Sequence, residues 1–250
     1  MNILKTLFPN MQLQKEYPIK PENKKSLIER KVYDMKYIED TFTVFESDKS
    51  IQELRSKCHK LDYFSFEFND DSKVLDFGLG VGQNTMWAKN KYGFDINKGL
   101  YPQLKEKGFI MFNTTEEIPN NFFDEILVSQ VLEHLDNPME TLKMLNTKLK
   151  VGGKIRIVVP NLVYDLYYQN NINQDYNSGH LFGWSHRELN HLLNRCGFHN
   201  IHNALIYKRG EVKLKFISYV SLQLYRRVTK LIGRVTGNFD VFVVSEKVQH

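Results

Sequence analysis

Five short apolar runs separated by helix-length stretches constrain this chain more than any other feature. Lys73–Phe77, Tyr92–Ile96, Gly108–Phe112, Phe123–Ser129 and Lys154–Pro160 are rich in β-branched and aromatic residues, the pattern of strands covered on both faces. They are expected to be parallel strands. Two helices announce their ends. Asn137 and Pro138 supply a cap and a first helical position, Leu142, Leu145 and Leu149 a buried stripe, and Gly152 with Gly153 a stop. Ser185 stands in capping-box register with Glu188, followed by Leu189, Leu192, Leu193 and Cys196 at helical spacing and by Gly197. Strand alternating with helix implies an α/β chain built on a doubly wound sheet.

Ligands of such sheets sit beyond the carboxyl ends of the strands. The first strand ends there in "VLDFGLGVG". Asp76 closes it, and Gly78, Gly80 and Gly82 allow a ligand to lie against bare backbone and the start of a following helix. Gln83 stands where the dinucleotide fingerprint needs its third glycine, which disfavours a nicotinamide. The "DFG" at Asp76–Gly78 has no H-R-D catalytic loop to accompany it, which removes a kinase. With 250 residues, 42% of them hydrophobic, the chain can bury one core and carry an extension. No window approaches the roughly 20 apolar residues of a membrane span, and "MNILKTLF" is short for a secretory signal. The expected location is the cytoplasm. Cys58 and Cys196 cannot form a disulfide framework or a zinc knuckle. A net charge of +5 suits an anionic partner or membrane surface without demanding either.

"VLDFGLGVG" and "YGFDI", then "FFDEILVSQVLEHLDNP", "LKVGGKIRIVVPN", "HLFGWSHRELNHLLNRCGF" and "FDVFVVSEK", resemble in order the motifs of class I S-adenosylmethionine-dependent methyltransferases. The resemblance implies a Rossmann-like, mostly parallel seven-stranded sheet. It implies that Asp76, Gly78, Gly80 and Gly82 hold the methionine end of S-adenosylmethionine and that Asp95 bonds the ribose hydroxyls. Asn113 or Thr114 stands where family members often carry an adenine-contacting aspartate, and Gln130 is a further cofactor-binding candidate. Residues 1–72 are then an N-terminal helical extension capping the site, and 73–250 the methyltransferase domain.

The stretch after the fourth strand bears on the acceptor. "SQVLEHLDNP" lacks the Asn/Asp-Pro-Pro-aromatic run of nucleobase amino methyltransferases. Gln130, Glu133 and His134 fall at i, i+3 and i+4, so on a helix they share one face. A hydroxyl acceptor needs its proton removed, by a base or with a metal. "EHL" and "HLFGWSHREL" resemble ubiquinone-biosynthesis O-methyltransferases, small-RNA 2'-O-methyltransferases and methyltransferases of surface-polysaccharide clusters. In the metal-using members the matching positions are Gln130, Glu133, His134 and His180, with Gln130 in place of one carboxylate, which should weaken magnesium binding. Glu133, His134 and His180 are thus the catalytic and metal candidates. His186, His191, His199 and His202 read as surface or packing residues, as do Trp87 and Trp184.

Residues 209–237 form an insertion before the last strand. Ile217, Val220, Leu224, Val228, Leu231 and Val235 make a helical stripe flanked by Arg226, Arg227, Lys230 and Arg234. It reads as a helix on an anionic bilayer, as a substrate lid or as ordinary packing. The expected function is O-methylation of a sugar or lipid-linked glycan. A small RNA, a quinone or phenol, and a non-catalytic cofactor-binding role are the alternatives. Nucleic acid is the less expected partner, because Lys/Arg and aromatics are not densely interleaved.

Overall fold

The computed structural model describes residues 49–161, 180–208 and 210–248. The basic stretch around Lys24–Lys36, with Tyr33 and Tyr37, lies outside them. In chain order the elements are α1 (Lys49–Tyr63), β1 (Lys73–Phe77), β2 (Asn90–Phe94), α2 (Tyr101–Glu106), β3 (Ile110–Met111), β4 (Phe123–Ser129), α3 (Pro138–Lys148), β5 (Leu149–Pro160), α4 (His186–Arg195), β6 (Phe198–Tyr207), α5 (Lys215–Ser218), α6 (Leu222–Thr236) and β7 (Phe239–Lys247). The strands form one sheet in the order β3-β2-β1-β4-β5-β7-β6. β1 to β5 pair in parallel, and β7 runs antiparallel to both β5 and β6. This is the doubly wound, mostly parallel methyltransferase sheet that the sequence led us to expect.

The period-2 alternation of the strands divides the core in two. Leu75, Ile126, Val128, Ile155 and Ile157 face one side and pack on Leu142 and Leu145 of α3 and Leu189 and Leu193 of α4. Val74, Leu127, Val158, Phe242 and Val244 face the other and pack on Tyr63 and Phe64 at the end of α1. Asn137 accepts from the Glu140 N–H at 3.3 Å to cap α3, and the Ser185–Glu188 capping box opens α4. Both N-terminal caps stand where expected.

The far end of α3 does not. Gly152 and Gly153 lie inside β5 instead of stopping the helix, which ends at Lys148 where Leu149 turns extended and pairs with Phe123. The pairing slips between Phe123 and Glu125, and a Cβ on Gly153 would meet Lys150 O at 2.9 Å and Phe123 O at 3.1 Å. These glycines serve a bulge. β2 begins and ends two residues before the expected strand, and β3 shrinks to a two-residue edge that pairs only with β2.

Order reverses beside β1, which lies between β2 and β4, so the ligand crevice of this sheet type opens at the carboxyl ends of these strands. β6 points the same way as β5. The connection from Tyr207 to Phe239, carrying α5 and α6, therefore leaves from that same edge. α6 rests on the domain through Tyr225, Thr229 and Gly233, and a Cβ on Gly233 would lie 2.6 Å from Lys208 N. Arg226 and Lys230 turn inward to Asp62 Oδ1 at 2.6 and 2.7 Å. The apolar stripe of the insertion faces outward, with Val220, Leu224, Leu231 and Val235 exposed. Among the described residues no helix is long and apolar enough to cross a membrane.

Candidate functional site

The turn after β1 is left-handed at each alternating glycine, with φ of 77°, 52° and 76° at Gly78, Gly80 and Gly82. Space divides them. A Cβ on Gly78 would meet Val131 Cγ2 at 2.4 Å and one on Gly82 would meet Leu104 Cδ2 at 2.8 Å, whereas nothing lies within 4 Å of Gly80. The chain's own side chains fill the first and third positions, and Gly80 alone of the three presents bare backbone to open space. No helix follows the turn, contrary to expectation. Only seven residues separate Gly82 from β2, and they form turns with one helical bond, Met86 N–H to Gly82 O at 3.0 Å.

Two carboxylates flank Gly80. Asp76 is fully buried and its Oδ2 accepts from Thr85 Oγ1 at 2.8 Å. Its Oδ1 meets no hydrogen-bond partner among the described residues. Burial, opposed by the Thr85 bond and reinforced by Asp95, lifts the Asp76 carboxyl to about 7. Asp95, just past β2, accepts from the Gly80 N–H at 2.9 Å through Oδ2 and from the Asn97 N–H at 2.8 Å through Oδ1. Burial raises this carboxyl too, against both bonds. A carboxylate offers about four lone-pair directions, so two remain for the paired hydroxyls of a ribose. An orphaned buried oxygen at Asp76 suits an incoming ammonium group, since leaving it unsatisfied is costly. Bare backbone at Gly80 and the unused lone pairs of Asp95 and Asp76 could receive the polar groups of S-adenosylmethionine.

Sequence reasoning missed the residues that hold this arrangement. Thr85 orients Asp76. The Tyr101 hydroxyl lies 2.8 and 2.7 Å from the carbonyls of Asp95 and Phe112 and accepts from the Asp95 N–H at 3.2 Å, tying β2 to β3. Asn113 and Thr114 are exposed, and Asn113 donates through its backbone N–H and side-chain amide to Glu117 Oε2 at 2.7 and 3.2 Å. Thr85 lies in the turn between β1 and β2 and Tyr101 opens α2, and a hydroxyl in such places is too common in sequence to single either out.

Glu133 and His134 occupy a 3-10 turn, Leu132–His134, after β4. Gln130 precedes it with a left-handed φ of 57°, exposed, its N–H donating to Val158 O at 2.8 Å. The expected helical face shared by Gln130, Glu133 and His134 is therefore not formed: β4 ends at Ser129, and this N–H bond to β5 leaves Gln130 outside the turn. A different contact completes the group. The Leu181 N–H donates to Glu133 O at 2.6 Å, and Trp184 bridges to Asn161 at the end of β5. His180 is thereby brought beside His134, ring centroids 4.8 Å apart. Ligand atoms of Glu133, His134 and His180 all lie within 4.8 Å of one another, with Glu133 Oε1 3.9 Å from His134 Nε2 and Glu133 fully buried. One carboxylate and two imidazoles can take a proton from an acceptor or ligate a divalent ion.

The remaining histidines and tryptophans with contacts to show are structural. His186 Nε2 lies 2.9 Å from Ala204 O, His202 stacks on Phe66, and Trp87 bonds Asn84 O at 2.7 Å while meeting Phe64 and Phe68 edge-on. Both cysteines are buried, and burial pushes the Cys58 thiol up to about 12.

A family model described as a methyltransferase domain matches residues 50–203. An uncharacterized protein of Methanocaldococcus jannaschii is 31% identical over 86 residues, which are 33% of this chain and 42% of that protein. N-methyltransferase 4 of Papaver somniferum is 26% identical over 131 residues, 46% of this chain and 37% of that one. The chain thus spans less than half the length of these curated relatives. The Burkholderia thailandensis 1,6-didemethyltoxoflavin-N1-methyltransferase, solved with 1,6-didemethyltoxoflavin and S-adenosylhomocysteine, superposes with a TM-score of 0.55 at 14% identity over 94% of each chain.

Proposed function

We propose that this chain, which belongs to the methyltransferase-domain family of class I S-adenosylmethionine-dependent enzymes, transfers a methyl group to a hydroxyl, with a sugar or lipid-linked glycan as acceptor. The gathering of Glu133, His134 and His180 carries this reading. An amine attacks with its own lone pair, whereas an alcohol is a weak nucleophile until a base takes its proton. Bound S-adenosylmethionine supplies a methyl carbon activated by a sulfonium leaving group. Asp76, Gly80 and Asp95 hold it at the ends of β1 and β2, and the acceptor hydroxyl is placed in line with that carbon. His134 or His180 takes the proton as the oxygen–carbon bond forms and the carbon–sulfur bond breaks. Glu133, 3.9 Å from His134, favours the imidazolium that results. Proximity supplies much of the remaining acceleration.

The same three residues fit a divalent ion, which would supply Lewis-acid polarisation of the acceptor oxygen. Two imidazoles and one carboxylate suit manganese or zinc better than magnesium. An amine acceptor is the second reading, favoured by the name of the poppy relative.

The test incubates the protein with methyl-labelled cofactor and separate glycan, lipid, RNA, phenol and amine pools, with and without a chelator. Label is expected in the glycan or glycolipid pool. Glu133→Gln, His134→Ala and His180→Ala should each leave S-adenosylhomocysteine binding in place by calorimetry and cut turnover by roughly 10²–10⁴-fold. Label confined to amines, with turnover unmoved by these variants, would overturn the hydroxyl reading.

A further inference from the structure

We propose that the outward face of α5 and α6 docks on the surface of an anionic phospholipid bilayer. α6 meets the domain through Tyr225, Thr229 and Gly233, which leaves its apolar stripe on the opposite side. Val220, Val235, Tyr219 and Leu231 are 83%, 80%, 72% and 61% exposed, and Phe216 and Leu224 continue the same surface. Isolated apolar residues on a surface are ordinary, but a ridge of this length marks an interaction site.

Charge selects the partner. Between Val212 and Phe239 the sequence holds six Lys/Arg residues and no Asp or Glu. Arg226 and Lys230 are turned inward to Asp62. Arg227 and Arg234, both exposed, sit three residues after Leu224 and Leu231, so they border the apolar ridge on one flank. An apolar ridge bordered by cations is the arrangement of a helix lying in a bilayer interface, its apolar side chains among the acyl chains and its cations at the headgroups. A second copy seated on this face would bring like charges together with no acidic residue on either helix to receive them. A nucleic acid would find no use for the ridge.

The insertion springs from the carboxyl edge of the sheet, so docking holds that edge near the bilayer. The proposal does not depend on which atom is methylated.

The test is flotation of the full-length chain with phosphatidylcholine vesicles, with and without phosphatidylglycerol. Binding is expected to the anionic vesicles and to fall with salt as the Debye length shortens. Leu231→Glu with Val235→Glu should weaken it by about tenfold or more, and Arg227→Glu with Arg234→Glu should remove the preference for anionic lipid. Circular dichroism and S-adenosylhomocysteine calorimetry, both unchanged, would show these surface variants folded. No flotation, equal binding to both vesicle types, or a dimer in solution dissociated by Leu231→Glu in place of lipid binding would each overturn the proposal.

Discussion

Replacing Asp76 by Asn flattens the dependence of stability on pH between about 4 and 7 and raises stability above pH 7. Burial lifts the carboxyl from 3.8 to about 7 in the folded protein, so the folded state holds its proton more tightly than the unfolded chain. In that window the folded state binds more protons, and stability falls as pH rises. The loss is complete just above pH 7, where it amounts to roughly 4 kcal/mol for a shift of this size. Asparagine keeps the shape and cannot ionise. Urea denaturation across this range should show the wild type losing stability while Asp76→Asn holds level. Calorimetry with S-adenosylhomocysteine should move the other way, with affinity falling about tenfold or more, because the variant lacks a charge for the ligand's ammonium. Parallel pH curves for the two proteins would show that Asp76 is not the titrating group. A residue that costs stability and serves binding is what a buried site carboxylate is expected to be.

Arg156→Met should cost about 3–5 kcal/mol, the range for removing one partner of a buried ion pair. Arg156 is fully buried. Its Nε and Nη2 donate to Glu125 Oε2 and Oε1 at 2.8 and 3.0 Å, its Nη1 to Tyr63 O at 2.9 Å, and Nη2 also to Phe66 O at 2.9 Å. The guanidinium also lies 5.0 Å from the Phe64 ring. Methionine leaves the Glu125 charge and two backbone carbonyls without their donor, at the point where the chain leaving α1 lies against β4 and β5. Glu125→Leu added to Arg156→Met should recover part of the loss by removing the stranded charge. Denaturant midpoints of the two single variants and the double measure this. A double variant no more stable than Arg156→Met would place the whole cost in the carbonyls of Tyr63 and Phe66.

Arg156 also shows why part of the fold escaped reading. In "KIRIVVP" it looks like the polar member of an alternating strand, and nothing local says that Glu125, 31 positions earlier, lies beside it. β1 and β4, by contrast, have the limits expected of them, because an apolar run buried on both faces leaves few other conformations. Caps at Asn137 and Ser185 were legible for the same reason: a side chain that bonds the backbone two or three residues ahead needs no distant partner. Gly152 and Gly153 were misassigned because a glycine that stops a helix and one that relieves a bulge look alike until the neighbouring strand is present.

Local sequence settled the limits of β1 and β4, the alternation of strands with helices, and the glycine turn with a carboxylate on each side, since backbone stereochemistry and apolar periodicity act over a few residues. Tertiary structure decided the rest. It brought His180 to His134 through a loop pinned to Glu133 O, left one oxygen of Asp76 unsatisfied among the described residues, and turned the stripe of α6 outward by seating Gly233 against the chain. Each depends on groups far apart in sequence, whose meeting is fixed by strand order and close packing and by no pattern within a single segment.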